Sequence, residues 1–135
     1  MLFRSNPSEI PIVMGILTQL TSNADAEVRR RTVIAIAEWA PDTASLEPVV
    51  LALRDPSVDV RVGAAFALSR SRVVSEDIRD ALSSRVSDRR EDTAVREQAW
   101  QALGQFRLDP RSYAVYEEFR RLREASGEDA GREGE

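Results

Sequence analysis

The sequence predicts an all-α solenoid, a right-handed α/α superhelix of about three stacked helical pairs closed by a C-terminal helix. Three observations predict it. One short phrase recurs three times, as Val28-Arg29-x-x-Thr32-Val33-x-Ala35-Ile36, Val60-Arg61-x-x-Ala64-Ala65-x-Ala67-Leu68 and Val95-Arg96-x-x-Ala99-Trp100-x-Ala102-Leu103. Its spacings of 32 and then 35 residues fall in the period of stacked helical repeats. Each copy also rides on an apolar pattern of helical period, and prolines and capping residues between the copies cut the chain into short helices.

Seven helices follow in order. The first spans about residues 8 to 21 and is apolar on more than one face, at Ile10, Ile12, Val13, Ile16, Leu17 and Leu20. The second, 25 to 40, carries the first phrase, and Pro41-Asp42-Thr43 separates it from the third, 43 to 53. At Asp55-Pro56-Ser57 the residue before proline avoids helical geometry while the proline suits the first turn of the fourth helix, 57 to 71. Ser75-Glu76-Asp77 places a capping hydroxyl and two carboxylates at the positive end of the fifth, 75 to 86. The sixth spans 92 to 106, and Asp109-Pro110 opens the seventh, 110 to 124, where Tyr113, Tyr116, Phe119 and Leu122 recur at three-residue steps suited to covering the last pair. The helices group as pairs 8–40, 43–72 and 75–107 with a cap at 110–124, one repeat domain over residues 1–123. Residues 124–135 carry five acids against one Arg, which accounts for the whole net charge of −4. With three glycines and no large apolar residue, this tail is expected to be disordered.

At 135 residues the chain is long enough to fold on apolar burial without a disulfide or metal. No apolar run is long enough to cross a bilayer, and the start lacks the pattern of a secretory signal, so a cytoplasmic location is the default expectation. There is no Cys and no His, and all 19 basic residues are Arg. That composition removes thiolate and imidazole chemistry, Schiff bases and a phosphate-loop lysine, so no catalytic residue, metal ligand or cofactor site is expected. The carboxylate groupings Glu91 with Asp92, Glu117 with Glu118, and Glu76, Asp77 and Asp80 read as solvated faces and a helix start.

The stretch Asp55-Pro-Ser-Val-Asp-Val60-Arg61-Val-Gly-Ala64-Ala65-Phe-Ala67-Leu68 resembles a HEAT repeat of the short type known from phycobilin lyase subunits. The third copy matches from Val95 onward, with Asp88 or Asp92 available for the acidic position of its turn; the first departs most, with Asn23 at that position and Thr32 for the first Ala. The resemblance covers about residues 8 to 107. It implies that Arg29, Arg61 and Arg96 bond acidic or carbonyl groups of the turns in an internal ladder, with Asp55 and Arg61 the clearest pair. HEAT proteins include scaffolds, transport factors, chromophore lyase subunits and DNA glycosylases, so the fold alone does not choose among them.

In such stacks the second helix of each pair lines the concave face. Aligned on their Arg, the three helices present one stripe: Arg30, Arg31, Ile34 and Glu38, then Val62, Gly63, Phe66 and Arg70, then Glu97, Gln98, Gln101 and Gln105. Ile34, Val62 and Phe66 would form an apolar centre rimmed by Arg30, Arg31 and Arg70 on one side and by amides such as Gln101 on the other, the build of a protein interface. The alternative for Ile34 and Phe66 is burial between repeats. The expected function is a non-catalytic scaffold that binds another protein, or another domain of a longer parent chain, on this face. Self-association as a homodimer through Ile10–Leu20 is a further expectation. An accessory subunit of a chromophore-lyase-like enzyme is one alternative. A HEAT-type nucleic-acid binder is the other; it is disfavoured because the body outside the tail has no net charge.

Overall fold

The computed structural model describes residues 7–133, with side chains from 8 to 127. It contains α1 (Ile10–Leu20), α2 (Ala26–Trp39), α3 (Glu47–Ala52), α4 (Val58–Arg70), α5 (Glu76–Ser87), α6 (Thr93–Leu103) and α7 (Pro110–Glu133), and no strand among the described residues. Short 3₁₀ turns at Pro7–Glu9 and Ala44–Leu46 lead into α1 and α3.

Local chemistry sets the helix starts. Asp25 caps α2 by accepting from the Glu27 N–H at 2.8 Å, Ser75 caps α5 through the Ile78 N–H, and Asp92 caps α6 through the Ala94 N–H. The turn into α4 is held instead from two residues upstream, where the Asp55 carboxylate accepts from the Ser57 N–H at 2.9 Å. Ala40, ahead of Pro41, is extended and ends α2.

The helices form two layers. In one, α2 packs on α4 and α4 on α6; in the other lie α1, α3, α5 and α7. Small buried residues, Gly63, Ala64, Ala65 and Ala67 on α4 and Ala99 and Ala102 on α6, let the axes of the first layer approach closely. Ile36, Leu46, Val49, Leu53, Leu68, Ile78, Leu82 and Leu103 fill the space between the layers. The second layer is less even: α5 and α7 pack together, whereas the six-residue α3 settles on α2 and α4 and makes little contact with α1.

Two features at the C-terminus differ from expectation. The last helix runs to Glu133, through the described part of the segment 124–135 expected to be disordered; residues 134 and 135 lie outside the described residues. No proline interrupts it, and Arg120 donates to both Glu117 and Glu124, one turn on either side. The four aromatic and aliphatic residues chosen for capping do not share a face either. Phe119 is buried and Tyr116 half-buried, but Tyr113 and Leu122 are exposed, because each three-residue step falls short of a full turn and nine residues carry the side chain to the opposite side. Trp100 completes the seam: its ring stacks on Tyr116 at 5.0 Å, its indole N–H donates to the Tyr116 carbonyl, and the Arg123 guanidinium covers it at 4.6 Å.

The turns are tied together by Arg, with partners one repeat further along than expected. Arg29 donates to the carbonyls of Asn23 and Ala24 in its own turn and, through Nε and Nη2, to both carboxylate oxygens of Asp55 in the next. Asp55 therefore pairs with Arg29 and not with Arg61, which takes only the Asp55 backbone carbonyl, at 2.7 Å. The carboxylate partner of Arg61 is Glu91, at 2.9 Å, which also accepts from Arg85. Glu91, rather than Asp88 or Asp92, fills the acidic position of the third turn; its side chain is 3% exposed, so it is no solvated surface acid. Arg96 has no such acid among the described residues: it donates to the Val86 carbonyl and lies over the Phe119 ring.

Burial pushes the Glu91 carboxyl up, but the Arg61 guanidinium, the Asp92 N–H and Arg85 outweigh it and hold the carboxyl below its ordinary 4.5. A depressed native value stabilises the fold fully above the unfolded value, and that contribution is lost as pH falls through the native one. Glu91→Ala, which strands two guanidiniums, is expected to cost about 3 kcal/mol in urea unfolding. Between about pH 5 and about pH 3 the wild type should lose more stability than Glu91→Gln; parallel losses would remove Glu91 from the acid response.

Candidate functional site

The stripe residues gather on the outer face of the α2–α4–α6 layer. Phe66 stands at its centre, 37% exposed, with Ile34 and Val62 half-buried beside it. Ile34 packs against the core, so it supports the patch more than it presents a surface. The Arg70 guanidinium lies over the Phe66 ring, 5.7 Å from its centre.

Three hollows meet at Phe66. One, of about 540 Å³, is lined by Arg30, Ile34, Asp59, Val62, Gly63 and Gln98 together with Phe66. A second, of about 460 Å³, lies towards α6 among Ser69, Arg70, Gln98, Gln101 and Gln105. The third, of about 390 Å³, is bounded by Ile34, Ala37, Glu38, Arg70 and Val73. Gly63 has a specific role here: a Cβ would stand 2.7 Å from Arg30 Cγ, so the glycine lets the Arg30 stem lie across α4.

The charged rim differs from the one the stripe implied. Arg30 and Arg31 both turn back to Glu27 on their own helix, at 2.7 and 2.9 Å. The Arg30 bond, with Arg31 adding to it, holds the Glu27 carboxyl at about 2. The spacings of three and four residues from Glu27 carry that signal in the sequence, which the alignment of the stripe alone does not use. Arg70 is the guanidinium that faces the patch without a carboxylate partner among the described residues, with Glu38 on the same hollow. Gln101 sits on the α6 side, exposed, between Gln98 and Gln105.

The other acidic groupings have structural occupations. Asp92 caps α6, Glu117 accepts from Arg120, Glu118 pairs with Arg89 and Asp80 with Arg79. Among the described residues no three acidic side chains converge in a way that could hold a metal ion. No helix among them is long and apolar enough to cross a membrane.

Because Phe66 sits at the surface and Ile34 leans on the core, their substitutions should separate in thermal unfolding followed by circular dichroism. Phe66→Glu is expected to cost about 1 kcal/mol or less. Ile34→Ala should cost about 1–2 kcal/mol, the half-buried share of an aliphatic truncation. A larger loss for Phe66→Glu than for Ile34→Ala would make Phe66 a core residue.

The sequence pattern of HEAT repeats matches residues 46–128, from the start of the second pair into α7. Protein YibA of Escherichia coli, in strain K12 and in O157:H7, is 32% identical over 93 residues, which is 68% of this chain and 32% of YibA. The match thus spans about a third of the length of these relatives. The matched pattern extends over more than half of a chain whose helices pair and stack as repeats, and on that ground the chain belongs to the HEAT-repeat family.

Proposed function

We propose that the chain is a non-catalytic protein-binding module whose partner sits on the α2–α4–α6 face, with Phe66 as its anchor. HEAT repeats in general mediate contacts between proteins. The observation that carries this reading is Phe66 itself, a large aromatic side chain exposed where three hollows meet, with the Arg70 guanidinium on its ring. A partner would set apolar side chains into the hollows around Phe66 and Val62 and an acidic group against Arg70, with Gln101 and its neighbours at the polar margin. Arg30 and Arg31 take part through Glu27, as a matched cluster rather than as free cations. The exposed first helix is assigned separately: Ile10–Leu20 is where a second copy of the chain would meet this one.

The test is a photo-crosslinking amino acid at position 66, compared with the same group at positions 74 and 113, two exposed apolar sites on other surfaces. Proteins from the source cell trapped at 66 and not at the other two, and lost when Arg70→Glu is added, are the expected result. Equal capture at all three positions would overturn the assignment of this face.

A further inference from the structure

A hollow of about 750 Å³ lies between α1 and α3, away from Phe66. Met14, Gly15 and Thr18 form the α1 wall and Pro48, Leu51 and Ala52 the α3 wall. This groove has Leu51, 64% exposed, on its rim, and its lining is mainly apolar, though it also includes Glu47 and the paired Arg29 and Asp55. It exists because α3 is short and settles on α2 and α4 instead of closing against α1.

On the far side of α1 stands a ridge. Ile12, Ile16 and Leu20 follow one another at four-residue steps and are 66%, 56% and 36% exposed. The whole of Ile10–Leu20 carries no charged residue. Between groove and ridge sits Gly15, in mid-helix, where an added Cβ would meet nothing within 4 Å among the described residues. Glycine there weakens the helix, and no contact among the described residues requires it.

We propose that α1 of a second copy lays its ridge into the α1–α3 groove while the first copy does the same in return. The proposal rests on the self-association assigned above to Ile10–Leu20 and adds the receiving surface. In this two-fold arrangement the helices run in the order α3, partner α1, α1, partner α3. The ridge of each α1 packs on Leu51 and Pro48 of the other copy, and the two α1 helices meet along Gly15 and Thr18. A ridge beside a groove on one surface is self-complementary, as an isologous contact demands. A charge-free helix lets identical surfaces meet without like-charge repulsion, and Gly15 lets the backbones approach. Because each copy supplies both ridge and groove, the contact is about twice that of a lone helix crossing, which moves it towards the roughly 600 Å² per partner at the low end of specific interfaces.

The chain contains no cysteine, so single substitutions report contacts cleanly. Ile16→Cys and Leu51→Cys chains, mixed at high micromolar concentration under mild oxidation, are expected to form the mixed 16–51 disulfide several-fold in excess of either self-pair. In sedimentation equilibrium the wild type should dimerise. Gly15→Gln should weaken that dimer at least about tenfold while the melting temperature of the dilute monomer stays the same or rises, since the space around Gly15 is open. A wild type that is monomeric throughout overturns both the self-association and its geometry. A dimer without preferred 16–51 pairing, or one indifferent to Gly15→Gln, overturns the ridge-in-groove contact alone and leaves self-association standing.

Discussion

Along α4 the residues Gly63, Ala64, Ala65 and Ala67 are all buried, and side chains this small let α2 and α6 lie close against its two flanks. The rest of the molecule is arranged around that contact. Once three helices share one close-packed layer, their outward residues form a single surface. The residue five beyond each repeated Arg, Ile34 on α2, Phe66 on α4 and Gln101 on α6, falls at the same height on each helix. The second layer cannot pack as evenly, because the larger aliphatic residues between the layers hold it away. Where α3 shortens to six residues it opens into the groove beside α1. The Phe66 surface and the α1–α3 groove are thus two consequences of one packing asymmetry.

Apolar packing alone would let such repeats slide or rotate, and the Arg bonds restrict both. Arg29 and Arg61 each take carbonyls in the turn before their own helix and a carboxylate in the next turn, so a shift of one repeat would break bonds at two places. The Glu91 site is the most enclosed of these, with Arg61 from α4 and Arg85 from α5 converging on one carboxylate. Burying such a cluster gains little over apolar packing, but removing one member leaves the others desolvated and unpaired. Its effect is on register and uniqueness more than on net stability. The series begins at Arg29, since the first turn has the neutral Asn23 at the acidic position, and it ends where Arg96 meets the Phe119 ring.

Most of the fold is legible in the sequence because its signals are local. The repeated phrase, the prolines and the capping Asp and Ser residues locate the first six helices and the start of the seventh within a few residues, and the alanines mark the close-packed layer. The errors lie where an outcome depends on contacts between repeats. Asp55 stands nearer Arg61 in the sequence, yet its carboxylate faces Arg29 across the stack, 26 residues away. Glu91 and Asp92 are neighbours with different fates, one buried between two guanidiniums and one capping a helix, and no periodicity distinguishes them. The end of α7 differs from expectation for another reason: glycines and acids lower helix propensity, but with α7 anchored through Phe119 and Trp100 they do not stop a helix already started. The stripe singles out Phe66 but fits burial between repeats as well as exposure, and only the packing of α4 turns it outward. The groove beside α1 leaves no such mark, because nothing in the sequence of α3 states how far it leans from α1.

An Arg-only chain invites comparison with nucleic-acid binders, and the disposition of its guanidiniums argues the other way. The run Arg29-Arg30-Arg31 is the densest positive stretch in the sequence, yet Arg29 is held by Asp55 and the other two by Glu27. Arg61 and Arg85 share Glu91, Arg89 faces Glu118, and Arg120 lies between Glu117 and Glu124. A surface that gathers phosphates needs positive charge that is clustered and not already neutralised nearby. Here these guanidiniums lie against carboxylates, in two cases sharing one, and their planar, multi-donor geometry suits that use: one group can hold two carbonyls and a carboxylate at once, as Arg29 does, where a lysine ammonium would offer no fixed fork. Arg96 and Arg123 also lie over rings, but those of Phe119 and Trp100 belong to the packed α6–α7 seam, whereas Arg70 covers the exposed Phe66. On the reading proposed above, that cation and ring together are what a partner with an apolar centre and an acidic edge would meet.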